Sequence, residues 1–145
     1  MYRKIVNFVF VLLFVVQISA LGQEKMEFGY SCTYNSSGQV VSTSGGDWIE
    51  VYIVDTMYGS WVQGTSYVKI GNDWQWTNMP TFHFNSTVNG WNVYVCNMGY
   101  HSEYLYIKTD GQFLRCTFAA GGNGNYREYK RGSRPKNDPY GPTRR

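Results

Sequence analysis

The stretch FHFNSTVNGWNVYVCNMGYHSEYLYIKTDGQFLRCTF, residues 82–118, decides the fold because it contains two dipeptides that are typical of tight β-turns. Asn89-Gly90 separates Phe82–Val88 from Trp91–Asn97, and Asp110-Gly111 separates Glu103–Thr109 from Gln112–Phe118. Both dipeptides tolerate the positive φ angles of a type I′ turn, so each predicts a two-residue hairpin. The stretch therefore predicts consecutive antiparallel strands.

Each turn also predicts which side chains face each other across its hairpin. The first turn is expected to place Val88 opposite Trp91, Phe84 opposite Val95 and His83 opposite Cys96. The second is expected to place Ile107 opposite Leu114, Leu105 opposite Cys116 and Tyr106 opposite Arg115. Because successive side chains alternate between the two faces of a strand, the aliphatic positions predict a core face and the Tyr, Asn, His and Arg positions a solvent face.

Further strands are predicted on both sides of this stretch. They are Phe28–Tyr34, Gln39–Ser42, Trp48–Val54, Ser66–Ile70, Trp74–Thr77 and Asn125–Arg131. Gly59 and Gly64 interrupt Met57–Thr65, which is predicted to be a loop that carries Trp61. Trp74 and Trp76 are expected opposite Ile70 and Val68, and hence in the core. These hairpins predict an all-β protein, an antiparallel meander that forms a small β-barrel or a two-sheet sandwich.

The two ends of the chain differ from this middle. Met1–Gly22 has a charged start followed by an apolar run and small residues before Gln23, which predicts a helical secretory signal that is cleaved before Gln23. Residues 23–131 are then one all-β domain. Residues 132–145 contain three prolines and almost no aliphatic side chains, so we expect a basic, disordered tail. The prediction is therefore a secreted, periplasmic or extracellular protein with no membrane span after cleavage.

An exported chain with three cysteines can form at most one internal disulfide. Cys116 shares a face with Leu114 and is expected to be a small buried hydrophobic residue. If a disulfide forms, the pairing that we expect is Cys32–Cys96, although sequence alone leaves three pairings open.

Several function classes lack the residues that they need. No Gly-rich phosphate loop, nucleophile motif or metal-ligand spacing is present, so we expect no cofactor, no metal and no assigned catalytic residue. Seven of the thirteen basic residues lie in 126–145, and no basic stripe extends over the body of the chain. Nucleic acid is therefore not an expected partner of this chain.

The predicted solvent face is rich in aromatic and hydrogen-bonding side chains. Flat aromatic rings stack on sugars or peptides, and neighbouring polar groups direct hydrogen bonds. The predicted ligand-binding residues are Tyr52, Trp61, Tyr94, Tyr104, Tyr106 and Arg115. We therefore interpret the chain as a binding protein for a glycan, a peptide or a protein. The alternatives are a small hydrolase that uses carboxylates such as Glu50 and Glu103, or a structural, envelope-associated subunit.

Overall fold

The computed structural model describes residues 23–118, 120 and 123–133, and within them every regular element is a β-strand. The strands are β1 (Gln23–Tyr34), β2 (Val40–Ser42), β3 (Trp48–Thr56), β4 (Gly59–Ile70), β5 (Asp73–Asn78), β6 (Phe82–Val88), β7 (Trp91–Asn97), β8 (Ser102–Lys108), β9 (Phe113–Cys116) and β10 (Tyr126–Arg131). The predicted signal segment Met1–Gly22, and residues 134–145 of the predicted tail, lie outside the described residues.

Eight strands close into an antiparallel barrel in the order β1, β3, β4, β6, β7, β8, β9 and β10, and β10 pairs back to β1. β2 pairs with β1, and β5 pairs with β4, outside this ring. The all-β antiparallel prediction is confirmed, and of the two predicted architectures the structure has the barrel. Closure pairs every strand of the ring on both sides, which removes free edges from the ring itself.

Apolar side chains at alternating positions fill the interior of the barrel. Phe28, Ile49, Val51, Val62, Phe82, Leu105, Ile107 and Leu114 are each at most 2% exposed. Full burial of a side chain of this size contributes about 1.5–3 kcal/mol. Ile107 lies opposite Leu114, and Leu105 opposite Cys116, as the Asp110-Gly111 turn predicts. The predicted core face of the second hairpin is therefore correct.

The first hairpin matches its prediction only next to its turn. Val88 lies opposite Trp91, and Asn89 and Gly90 have φ angles of 51° and 81°, as a type I′ turn requires. Beyond them a β-bulge at Asn85 shifts the register by one residue. Because side chains alternate with a period of two, a one-residue shift exchanges the two faces of the partner strand.

The bulge reverses the predicted sidedness of β7. Phe84 lies opposite Tyr94, not Val95, and His83 lies opposite Val95, not Cys96. Tyr94 is 3% exposed and pairs with the buried Leu105, so it belongs to the interior. The prediction that Tyr94 lies on the solvent face is therefore wrong.

The predicted loop at Met57–Thr65 is wrong as well, because β4 begins at Gly59 and includes Trp61. Gly59 adopts a positive φ of 146° next to the turn between β3 and β4. Gly64 lies opposite Val51, where an added Cβ would overlap the carbonyl oxygen of Glu50. Gly59 is the first residue of β4, Gly64 lies within the strand, and both pair with residues of β3.

The hairpin of β4 and β5 turns at Gly71-Asn72, a loop one residue shorter than the predicted Gly71-Asn72-Asp73. Trp74 therefore lies opposite Lys69, and Trp76 lies opposite Tyr67. The two indole rings are half-buried and lie 5.3 Å and 5.1 Å from the ring of Tyr67, between ring centres. They cover this buried tyrosine outside the main core cluster, which corrects the prediction that they are core residues.

All three cysteines are free thiols, so the expected Cys32–Cys96 disulfide is absent. Cys32 lies on β1 and Cys96 on β7, and these strands are not neighbours in the barrel. Cys116 is buried as predicted. Its burial raises the pKa of the thiol to about 12, which makes it a poor nucleophile at neutral pH.

We expect Gly64→Ala to destabilise the barrel by about 1–3 kcal/mol or more, because β3 and β4 must separate to admit the methyl group. Urea unfolding followed by tryptophan fluorescence measures this loss. Gly132→Ala is the matched control, since nothing lies within 4 Å of a Cβ placed there. Equal stability of the two variants would contradict the close approach of these strands.

Candidate functional site

Outward side chains from four neighbouring strands form a row across one wall of the barrel. Val93 of β7 lies opposite Tyr106 of β8, Tyr106 lies opposite Arg115 of β9, and Arg115 lies opposite Glu128 of β10. The Tyr106–Arg115 pair is the one that the Asp110-Gly111 turn predicts. Two of the predicted binding residues are therefore neighbours in the structure.

Arg115 is held by three aromatic rings and one carboxylate. Its guanidinium carbon lies 4.5 Å, 5.3 Å and 5.5 Å from the ring centres of Trp91, Tyr126 and Tyr34. Its Nε donates a hydrogen bond of 2.7 Å to Oε2 of Glu128, which is 8% exposed. A buried partner and flanking rings fix the plane of this guanidinium better than a solvent-exposed ion pair would. The rings that contact the Arg115 guanidinium are therefore these three, and Tyr106 lies opposite Arg115 on β8.

An open pocket of about 470 Å³ lies beside Arg115 on the outer wall. The described residues that line it are Val88, Asn89, Trp91, Val93, Tyr106, Arg115, Thr117, Gly124 and Tyr126. Asn89 and Gly124 have φ angles of 51° and 73°, so two left-handed turns form part of its rim. The volume and the mixture of apolar rings with a few polar groups are typical of a small-ligand site.

Tyr104 extends the aromatic surface beyond the pocket. Its ring centre lies 6.3 Å from that of Tyr106, and the two ring planes differ by 23°. A chain of cross-strand pairs, Tyr104–Val95, Val95–His83 and His83–Trp61, continues the same outer face to β4. Trp61 therefore shares this face but lies three strands away from Tyr104.

Two predicted binding residues do not join this surface. Tyr52 is exposed on β3, and in the closed ring β3 is separated from β8 by three strands in either direction. Tyr94 points into the barrel, where burial raises the pKa of its hydroxyl and the nearby Asp55 raises it further. The structure thus groups Tyr104, Tyr106 and Arg115, and it separates Tyr52 and Tyr94 from them.

Four residues that hold or line the site were not among the predicted binding residues. They are Tyr34, Trp91, Tyr126 and Glu128. Tyr34 and Tyr126 come from β1 and β10, and their rings stack at 5.1 Å only because those strands pair. The pKa of the Tyr34 hydroxyl is raised to about 12 by its hydrogen bond with Cys32 and by the charge of Glu128. Of these four residues, only Trp91 has a position that can be predicted locally, because it directly follows the Asn89-Gly90 turn.

The structure does not bring the carboxylates of the alternative hydrolase together. Glu50 lies on β3, with Oε2 3.8 Å from Nζ of Lys25, and Glu103 lies on β8. The two strands occupy opposite sides of the closed ring. A glycosidase needs its two carboxylates to flank one bond, less than about 10 Å apart. This arrangement gives Glu50 and Glu103 no shared cleft.

His101 is not arranged as the general base of a Ser-His-Asp site would be. His101 Nε2 lies 2.8 Å from Glu103 Oε1, and the Thr117 hydroxyl donates to Oε2 of the same carboxylate at 2.5 Å. The carboxylate thus lies between the hydroxyl and the imidazole, whereas in a Ser-His-Asp arrangement the imidazole lies between the hydroxyl and the carboxylate. Among the described residues, no group of three or more His, Cys, Asp or Glu side chains is arranged to hold a metal ion.

A second arginine lies inside the barrel. Arg127 forms an ion pair with the buried Asp47, and its guanidinium carbon lies 4.6 Å from the ring centre of Tyr30. Burial raises the pKa of Asp47, and the charge and hydrogen bond of Arg127 oppose that shift. The Nε of Arg127 is buried without a hydrogen-bond partner in the described structure. This pair lies on the inner side of the barrel wall, and neither residue lines the outer pocket.

Comparison with known protein families, with characterised proteins and with solved structures finds no match to this chain. In the part of the chain that the structure describes, no helix is long and apolar enough to span a membrane. The geometry of the chain's own residues is therefore the basis for a functional hypothesis.

We expect Asp47→Asn to cost roughly 3 kcal/mol in the free energy of unfolding, because it leaves the partly buried Arg127 without a counter-charge. Chemical denaturation measures the loss. Adding Arg127→Met to Asp47→Asn should restore part of it, since the unpaired charge is then removed. Glu50→Gln, in a solvent-exposed pair, is the matched control and should change stability by less than about 1 kcal/mol. Equal effects of the two carboxyl substitutions would contradict a structural role for the interior pair.

Proposed function

We propose that this chain is an exported binding protein whose ligand occupies the pocket beside Arg115. The observation that carries the proposal is a guanidinium oriented by Glu128 and three aromatic rings at the wall of a pocket of about 470 Å³. Buried Val93 forms an apolar part of the lining, and Asn89 and Thr117 supply hydrogen-bonding groups. Such a lining favours recognition of a ligand with both flat and polar parts.

Binding accounts for this surface better than catalysis does. The described pocket residues include a cation, hydroxyls and an amide, but no carboxylate and no imidazole that could act as a general base. The acids considered for a hydrolase lie on opposite sides of the ring. A structural subunit that joined its neighbours by strand pairing would use β2 or β5, the described strands outside the closed ring.

The site of action that we propose is outside the cytoplasm. Met1–Gly22 has the charge and apolar pattern of a secretory signal. Gln23, the residue after the proposed cleavage, is the first residue of β1 and pairs with Val54 of β3. Cleavage there would leave the first strand of the barrel intact. We expect N-terminal sequencing of the exported protein to begin at Gln23. A protein that keeps Met1 in the cytoplasm would contradict this part of the proposal.

A glycan, peptide and protein array identifies a ligand. Tyr106→Ala is expected to lower the affinity for that ligand by roughly tenfold or more, because the Tyr106 ring lines the pocket. Protein purified after expression of the full chain is used for the array and for titration calorimetry. Tyr104→Ala is the matched control, since this tyrosine lies on the same strand face but is not among the pocket residues.

The two substitutions should leave the melting temperature within a few degrees of that of the parent protein, because both rings are partly exposed. If Tyr104→Ala abolishes binding and Tyr106→Ala does not, the ligand sits elsewhere on the outer face. If Tyr106→Ala prevents folding, the ring is structural and the proposed pocket loses its main support.

A further inference from the structure

We infer that the ligand of the Arg115 pocket is an acidic sugar, with a carboxylate of the uronate class placed against the guanidinium. This inference rests on the proposed function, because it names the chemistry of the ligand at the same site. It is carried by the charge of the lining, by the donors that Arg115 retains, and by the pairing of the strands beneath the pocket.

The described lining of the pocket carries a cation and no carboxylate. Arg115 is the one charged side chain among its described lining residues. Glu128, which pairs with Arg115, is 8% exposed, and Lys108, outside the lining, has its Nζ 5.9 Å from the ring centre of Trp91. A second carboxylate, Glu103, accepts a hydrogen bond from the lining residue Thr117. An anion in the pocket would therefore approach the guanidinium of Arg115 on the side that its pairing with Glu128 leaves accessible. Aromatic walls lower the local dielectric, which strengthens this attraction relative to open water.

Arg115 retains hydrogen-bonding capacity for such an anion. A guanidinium carries five N–H donors in a planar fork, and the recorded bond to Glu128 uses the Nε–H. The side chain is 33% exposed, so the charge is accessible from the pocket. The fork geometry matches a carboxylate in a bidentate pair, which a Lys would not provide. The three stacked rings pre-organise the fork before a ligand arrives.

The surroundings of Arg115 favour a sugar over an extended peptide. Peptides that add to sheets gain affinity from main-chain hydrogen bonds at a free strand edge. Here β7, β8, β9 and β10 are each paired on both sides, so the wall offers side chains and no free edge. The phenolic groups of Tyr106 and Tyr126, with the amide side chain of Asn89, suit a ring that carries several hydroxyl groups.

The probes for this inference are oligogalacturonide and hyaluronan oligosaccharides, each compared with its methyl ester, which keeps the sugar and removes the charge. Titration calorimetry on protein purified from the full chain should show the acid binding roughly ten- to a hundredfold more tightly than the ester. The advantage of the acid should shrink as salt is raised from low to high concentration, because salt screens the charge.

Arg115→Gln should abolish the difference between acid and ester. Because this change leaves Glu128 unpaired, Arg115→Gln combined with Glu128→Gln serves as the second variant, and circular dichroism checks that both variants fold. Lys69→Gln removes the same charge on the exposed end of β4 and should leave the difference unchanged. Loss of the difference only in the Arg115 variants supports the inference.

Three other results overturn it. If acid and ester bind equally and Tyr106→Ala weakens the binding of both, the ligand's carboxylate is not recognised, whereas the proposed pocket is still supported. If no uronate binds, and a short peptide with a free C-terminal carboxylate binds through Arg115 where its amide does not, the sugar class is wrong. If no ligand of any class depends on Tyr106, both the inference and the proposed function fail.

Discussion

The antiparallel pairing of β10 with β1 is the interaction on which the rest of this structure depends. It joins Phe28 to Arg131 at one end and Tyr34 to Tyr126 at the other, and so turns a series of hairpins into a closed ring. On the outside it brings together the two tyrosines that stack at 5.1 Å and flank Arg115. On the inside it places Arg127 where Asp47 can neutralise it. Both arginine environments therefore depend on the same closure.

Arg115 and Arg127 have different surroundings because side chains alternate between the two faces of the barrel wall. Arg115 and Arg127 lie on adjacent strands, β9 and β10, but on opposite faces of the barrel wall. Arg127 lies on the inner face and pairs with the buried Asp47, with 17% of its side chain exposed. Arg115 keeps one side in contact with a carboxylate and presents the other to a pocket. Position in the register, more than residue type, decides which arginine lies inside the barrel and which lies beside the outer pocket.

The bulge at Asn85 has a comparable effect on the wall that carries the pocket. It moves Trp91, Val93 and Val95 to the outer face and Tyr94 to the interior, next to Leu105. Val93 is nevertheless only 9% exposed, because the aromatic and guanidinium groups of neighbouring strands cover it. An apolar strip on an outer wall, covered by rings and one cation, is what makes a pocket possible there.

The sequence by itself determined the local elements whose signals lie within a few residues. Asn89-Gly90 and Asp110-Gly111 specify their turns because few other dipeptides tolerate the required φ angles, and the opposition of Tyr106 and Arg115 follows from the second turn. Alternation of aliphatic residues was enough to predict an all-β fold and the burial of Ile107 and Leu114. These properties depend on backbone sterics and on a period of two, which are both visible in a short window.

Only the tertiary structure decided closure, the bulge and the grouping of the site. Gly64 resembles a strand breaker until β3 approaches it closely enough to exclude a Cβ. The alternation along the sequence places Trp91 on the core face, whereas in the structure it lies on the outer face, opposite Lys108. Tyr34 and Tyr126 are 92 positions apart in the sequence and become neighbours because β1 pairs with β10. Such features arise from pairings between distant segments, whose free energies depend on the whole packed barrel and leave no signal in any local stretch of sequence.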